Sequence, residues 1–240
     1  MLRRRPGRPP NIIGHRGVRG ARPENTLAAF ELAASLGADG VELDVRVSRD
    51  GALVVAHDPD LSRVSGGRDT RAVADVEADE LARVELGGGA GVPRLSEVLA
   101  LARARGLFVN VEMKRDVPDR RAVVRRTLEA LREPRFAERV VVSSFDPFML
   151  EAFALGSRVP VALLFHRGQA HLRPWLVARA LRVDALHPER TLIGRDLSAA
   201  AGRVVNVWTV NDPTEARLLA DVGVDGLITD VPGELRAALG

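Results

Sequence analysis

The chain has 240 residues, 46% hydrophobic and 28% charged, a balance that fits a globular protein and excludes a disordered one. It contains no cysteine, which excludes a disulfide framework, a thiolate metal site and a cysteine nucleophile. The formal net charge is only +3, and with 4% aromatic residues and no Tyr there is little to stack on bases, so no nucleic-acid partner is expected.

Residues 1–10 hold Arg3, Arg4, Arg5 and Arg8 among prolines and read as a basic, flexible tail ahead of a single domain spanning 11–240. No apolar stretch of signal-peptide type follows these charges, and no run approaches the roughly 20 residues of a membrane span. The expected location is cytoplasmic. The first strand is Asn11–Gly14. Asn25 or Thr26 then opens a helix through Leu36, with Leu27, Phe30 and Ala34 on one face and Gly37 closing it. A strand follows at Val41–Val45, then a second apolar run at Leu53–Ala56. The gap between those two is too short for a parallel crossover, so they form an antiparallel hairpin, and Asp50-Gly51 is a strong two-residue turn signal. Ser96 opens a helix that stops at Gly106, and Phe108–Met113 and Val140–Ser143 are strands. Asp146-Pro147 places an N-cap before a first-turn proline, for a helix ending near Gly156. Strands follow at Val161–Leu164, Asp184–Leu186 and Val204–Trp208. Asp212-Pro213 opens another helix, with Glu215 completing a capping box and Gly223 ending it, and the last strand is Gly226–Ile228.

Eight strands alternating with helices imply a parallel sheet, and eight units in this length fit a closed (β/α)8 TIM barrel with a hairpin protruding after the second strand. An open doubly wound sheet would carry a Gly-rich phosphate turn after its first strand, and Gly14-His15-Arg16-Gly17 is not one.

The hairpin predicts a register. With Asp50 and Gly51 as the turn, Asp44 opposes His57, Val45 opposes Ala56 and Val47 opposes Val54. Glu42 lies two residues before Asp44 and shares its face. Asn110, Glu112 and Lys114 alternate with Val109, Val111 and Met113, so the polar set points into the barrel near its C-terminal rim, where His15-Arg16 also ends the first strand. Lys114 is the single Lys among 35 basic residues, which marks a place where a compact ammonium does what a guanidinium does not. Three carboxylates suit a hard divalent cation, Mg2+ or Ca2+. Arg16 and Lys114 supply positive charge for a phosphate, and two histidines can act as acid and base. Together these residues point to metal-assisted cleavage of a phosphate ester.

The same residues sit in a series of motifs: His15-Arg16-Gly17, Pro23-Glu24-Asn25-Thr26, Glu42-Leu43-Asp44, His57-Asp58, Val111-Glu112-Met113-Lys114, Ser144-Phe145, Val207-Trp208-Thr209-Val210-Asn211 and Ile228-Thr229-Asp230. With them the chain resembles the glycerophosphodiester phosphodiesterase family over nearly its whole length. The resemblance implies a barrel of the phosphatidylinositol-phospholipase-C-like type. It also implies hydrolysis of glycerophosphodiesters to sn-glycerol 3-phosphate and an alcohol. Carried over by position, Glu42, Asp44 and Glu112 hold the divalent cation, His15 and His57 are the acid–base pair, Arg16 and Lys114 hold the phosphate, and Trp208 lines the glycerol side. A lysophospholipid-type phospholipase and a catalytically idle phosphate-binding module are the alternatives on the same residues. The chain departs from the family pattern at Ser48, where many members have Thr, and near Val64. It departs again over Asp60–Gly91, a short, glycine-rich stretch read as loop and flexible at Gly87–Gly91. His166, His171 and His187 match no family role, and His187-Pro188 at a strand end is expected to border the site.

Overall fold

The apolar runs of the sequence become the wall of a barrel in the computed structural model, which describes residues 3–132, 139–172, 174–181, 183–194, 197, 200 and 202–240. The strands are β1 (Asn11–His15), β2 (Gly40–Val47), β3 (Leu53–Val55), β4 (Phe108–Met113), β5 (Val140–Ser144), β6 (Val161–Phe165), β7 (Ala185–Pro188), β8 (Val204–Val207) and β9 (Gly226–Thr229). All except β3 are parallel. They pair in the ring β1-β2-β4-β5-β6-β7-β8-β9, and β9 closes it on β1. This is the expected eight-stranded barrel. Side-chain alternation splits each strand between two layers. Val41, Leu43, Val45, Val109, Val111 and Met113 pack outward in one core with Phe30, Val98, Leu99 and Phe153. Phe108, Val141, Ala162, Ala185 and Val204 fill the barrel's base.

The helices are α1 (Leu27–Ser35), α2 (Ala78–Leu81), α3 (Leu95–Arg105), α4 (Arg120–Ala130), α5 (Pro147–Gly156), α6 (Pro174–Ala180), α7 (Pro213–Val222) and α8 (Pro232–Leu239). Thr26, not Asn25, caps α1, its hydroxyl accepting from Ala29 N at 3.2 Å. Asp146 and Asp212 cap α5 and α7 as expected, each cap stabilising its helix by about 1 kcal/mol. The capping box at Glu215 does not form, because that carboxylate turns to Arg190, 2.8 Å away. Helix α4 escapes sequence patterning because it is mostly polar and buries only Val123, Val124 and Thr127.

The hairpin forms, but one residue out of the expected register. Val45 pairs with Val55, Arg46 with Val54 and Val47 with Leu53, so Asp44 opposes Ala56 rather than His57. The loop has three residues, not two. Gly51 takes φ +81, and its N–H donates to Ser48 O at 2.9 Å, the conformation of a type I turn closed by a left-handed glycine. Ser48 Oγ donates to Asp50 and accepts from Ala52 N, which holds the wider loop. The stretch read as loop after the hairpin has its own small core. Leu61, Val73, Val76, Ala78, Leu81, Val84 and Val92 pack against Val54 and Ala56. Their spacing follows neither a helical nor a strand period, which hid them. Gly87–Gly91 closes on itself through Leu86 N to Ala90 O at 2.9 Å.

Candidate active site

The site begins with a tight turn after β1. Arg16 and Gly17 both take positive φ, +52 and +90, and a Cβ on Gly17 would lie 2.6 Å from Ala29 of α1. The turn is pinned by Arg16 N donating to Glu42 O at 3.0 Å and to the Glu42 carboxylate at 3.2 Å. Across β2 and β4, Glu42, Asp44 and Glu112 each offer an oxygen, all within 4.8 Å of one another, and all three residues are buried.

Such crowding has an electrostatic consequence. Burial, then repulsion from Asp44 and Glu112, pushes the Glu42 carboxyl well above the usual carboxylate range. Burial and Asp44 raise Glu112 to about 7, against the opposing pull of Lys114. Burial also works against ionising Asp44, but the charges of Lys114 and Arg16 outweigh it and hold that carboxyl low. Lys114 Nζ bridges the pair, 3.0 Å from Glu112 and 3.2 Å from Asp44. Arg16 Nε lies 3.3 Å from Asp44, and Asn25, itself at φ +58, donates to Asp44 at 2.9 Å. The donor set is all oxygen and dense in negative charge, so it fits a hard divalent cation, whose charge would relieve the repulsion at Glu42 and Glu112.

Both histidines lie beside this triad. His15 Nδ1 is 2.7 Å from Asp230, whose other oxygen accepts from Asn211 at 2.7 Å, and His15 Nε2 is 4.0 Å from Glu42. His57 Nδ1 is 2.7 Å from Asp58, whose other oxygen accepts from Arg63 Nε at 2.5 Å. Burial lowers the pKa of His57, with Lys114 and Arg16 adding to the effect and Asp44 opposing it. Despite the shifted register, His57 reaches the site. The strand ends at Val55, and Arg46, 3% exposed, holds the His57 carbonyl through Nε at 3.0 Å and Nη2 at 2.6 Å while also binding Asp116. His15, Arg16, Glu42, His57, Glu112, Lys114 and Trp208 thus line one cavity of about 120 Å3, with Phe145, Leu164 and Ile228 as its apolar wall. Asp44 lies beside it, 1% exposed. Trp208 meets Phe145 edge-on at 5.5 Å and donates Nε1 to His187 O at 2.7 Å.

Glu24, Asp58, Phe145, Asn211 and Asp230 lie inside the sequence motifs with no expected task, Asn25 is expected only as a helix cap, and Arg46 and Arg63 lie outside those motifs. Arg63 forks onto Glu24 (2.7 and 3.1 Å), which also pairs with Arg16 at 3.0 Å. Only Asp58, next to His57, carried a local signal. His187 does not border the cavity as expected. It is fully buried in the barrel between Asn110 and Asn206, because its position in β7 alternates inward. The ring of His166 packs on Phe145 at 5.8 Å, and the side chain of His171 lies outside the described residues.

The model of the glycerophosphoryl diester phosphodiesterase family matches residues 15–234. The chain belongs to that family. It is 33% identical over 235 residues to a glycerophosphodiester phosphodiesterase from Caldanaerobacter subterraneus subsp. tengcongensis, covering 93% of this chain and 95% of that one. The glycerophosphodiester phosphodiesterase of Thermotoga maritima superposes with a TM-score of 0.77 at 30% identity, over 96% of this chain and 98% of the other. A phosphodiesterase of Oleispira antarctica, solved in complex with the product sn-glycerol-3-phosphate, superposes with a TM-score of 0.83 at 26% identity, over 95% and 96%. The family member described here is therefore a phosphoric diester hydrolase, and its acidic triad could hold a divalent metal. No described helix is long and apolar enough to cross a membrane.

Proposed function

We propose that the chain hydrolyses glycerophosphodiesters to sn-glycerol 3-phosphate and an alcohol, with His15 and His57 as the acid–base pair. The observation that carries this reading is the matched pair of dyads. Each histidine is held at Nδ1 by an aspartate at 2.7 Å, leaving Nε2 for the cavity that Arg16 and Lys114 also line. The Oleispira antarctica relative with sn-glycerol 3-phosphate bound supports the product assignment.

Arg16 and Lys114 bind the phosphodiester oxygens and stabilise the extra negative charge of the transition state. Glu42, Asp44 and Glu112 would hold Mg2+ or Ca2+, which when bound adds Lewis-acid stabilisation of the same charge. His15 Nε2 takes the proton of the attacking hydroxyl, either of water or of the glycerol 2-position. His57 Nε2 gives its proton to the departing alkoxide as the P–O bond breaks. Attack by water yields glycerol 3-phosphate directly, whereas attack by the 2-hydroxyl yields a cyclic phosphate that a second water opens.

The dyads differ in a way that supports this division of roles. Asp230 is bound by the neutral amide of Asn211, so its charge remains to support the imidazolium formed at His15. Asp58 shares its charge with Arg63, and half-buried His57 gives up a proton more readily than a free imidazole. Trp208 and Phe145 shape the apolar side, where the glycerol carbons pack. A chain without cysteine has no disulfide to lose in a reducing compartment, which supports a cytoplasmic setting.

The test is a panel of glycerophosphodiesters carrying choline, ethanolamine, glycerol and inositol, assayed for glycerol 3-phosphate with and without added metal. Release from none of them, or release of the alcohol's phosphate instead, overturns the reading.

A further inference from the structure

The opposite end of the barrel carries a second cavity, of about 700 Å3, at the N-terminal ends of β1, β2, β4 and β5. Six arginines line it: Arg3, Arg5 and Arg8 from the N-terminal segment, Arg105 from the end of α3, Arg139 ahead of β5, and Arg236 from α8. The one acidic side chain in its wall is Asp39. This is a steep local excess in a chain whose formal net charge is +3.

The charges are placed rather than scattered. Arg4 fastens the N-terminal segment beneath the barrel, its backbone N–H on Asp225 at 2.9 Å and Nη1 on Ala220 O at 2.6 Å. Its Nε donates to Arg8 O at 2.5 Å, which curls the segment so that Arg3, Arg5 and Arg8 line the same cavity. Two of the six guanidinium groups are neutralised, Arg236 by Asp39 and Arg105 by Glu31. Among the described residues, Arg3 and Arg139 bind only uncharged carbonyls, of Gly202 and Gly106, both at 2.6 Å. Arg5 and Arg8 have no side-chain hydrogen bond or ion pair among the described residues. Four cations without an acidic partner among the described residues therefore surround a concavity, a shape that concentrates their field.

Guanidinium forks match phosphate oxygens two at a time, and this volume lies in the range of small-ligand sites. The apolar part of the lining is Pro9, Pro10, Ala38, Leu107 and Phe108, and Pro10, Leu107 and Phe108 are buried, so no exposed ring is offered to a base. The geometry points to a binding site for a small polyphosphate anion, a run of three or more phosphate groups recognised through the phosphates themselves. Concavity favours such a ligand over a flat anionic membrane or an extended duplex.

Calorimetric titration of the full chain with inorganic tripolyphosphate, at 0.15 M salt and with saturating glycerol 3-phosphate to fill the catalytic cavity, tests this. One ligand per chain is expected, with ATP binding comparably. The triple variant Arg5→Gln/Arg8→Gln/Arg139→Gln should weaken both by at least about tenfold and leave diesterase turnover unchanged, which also reports that it folds. The variant Arg16→Ala should bind tripolyphosphate as the parent does. The proposal is overturned by absence of saturable binding, by affinity unchanged in the triple variant, or by loss of binding in Arg16→Ala. Binding of ATP without tripolyphosphate overturns it too. So does tighter, triple-variant-sensitive binding of a DNA duplex or of phosphatidylglycerol vesicles than of any small polyphosphate.

Discussion

Asp58 binds the ring of the residue immediately before it, His57, through a 2.7 Å contact between Oδ1 and Nδ1. Neighbours in an extended strand point to opposite faces, so this contact exists only because the chain leaves β3 at Val55. On the other side of the cavity the same arrangement is made by residues 215 apart, His15 and Asp230. Two unrelated pieces of backbone thus anchor both rings at Nδ1 and turn both Nε2 atoms away from their aspartates.

Replacing either histidine by Ala is expected to lower kcat by at least about a hundredfold, the scale of a lost acid or base. Asp230→Asn and Asp58→Asn keep the shape but remove the charge that orients each ring. Each should lower kcat by about tenfold or more with KM little changed. Steady-state kinetics on a glycerophosphodiester decides. Wild-type turnover in both histidine variants would falsify the acid–base assignment.

Arg46 makes a separate prediction, since it does not itself line the cavity. Its guanidinium holds the His57 carbonyl and both the carbonyl and carboxylate of Asp116. Arg46→Met keeps most of the buried volume and strands those acceptors, so it should cost about 1–3 kcal/mol of stability and lower kcat by displacing His57. Arg46→Lys should restore part of the stability but less of the turnover, because an ammonium cannot make the fork. Chemical denaturation paired with kinetics separates the two effects. Equal recovery of both would mean that Arg46 serves the fold alone.

The carboxylate triad predicts a trade between stability and activity. Chelation with EDTA should abolish turnover, and Mg2+ or Ca2+ should restore it. Glu42 has its carboxyl raised in the folded state, so its ionisation disfavours folding as pH rises above the ordinary carboxylate range. Glu42→Gln removes that cost and keeps an acceptor for Arg16 N. In chelator at pH 8 the variant should unfold at a higher temperature than the parent. With saturating cation the order should reverse, because only the parent gains the binding energy. Full activity in chelator, or a variant less stable in both conditions, would rule the triad out as a cation site.

The barrel was legible because its strands are buried on both faces and read as apolar runs spaced by helix caps. Glu42, Asp44, Glu112 and Lys114 were legible because strict alternation isolates polar residues on an apolar strand. The hairpin was read one residue out of register, since a side-chain bond from Ser48 to Asp50 widens a loop that the Asp-Gly pair alone would leave tight. The outer partners Asp230, Arg63 and Arg46 stayed hidden because their contacts are made across the fold. A lone Arg inside β2 looks like a solvated residue until the Asp116 loop closes over it.

His187 supplies a pH effect on stability that owes nothing to the catalytic cavity. It is wholly buried, Nε2 lies 3.0 Å from the Asn206 amide, and no carboxylate reaches it among the described residues. Burial alone pushes its pKa down to about 3 from 6.5. A folded-state pKa below the unfolded one means that the unfolded chain binds the proton first. The neutral ring's contribution is therefore fully present above pH 6.5 and is lost as pH falls from there toward 3. Between pH 7 and pH 5 this amounts to roughly 2 kcal/mol. His187→Gln keeps a polar group between Asn110 and Asn206 without a titrating proton. Urea unfolding at pH 7, 6 and 5 should show the parent losing that much more stability than the variant over this window. Parallel curves for the two proteins would mean that the ring is hydrated, or charged, in the folded barrel.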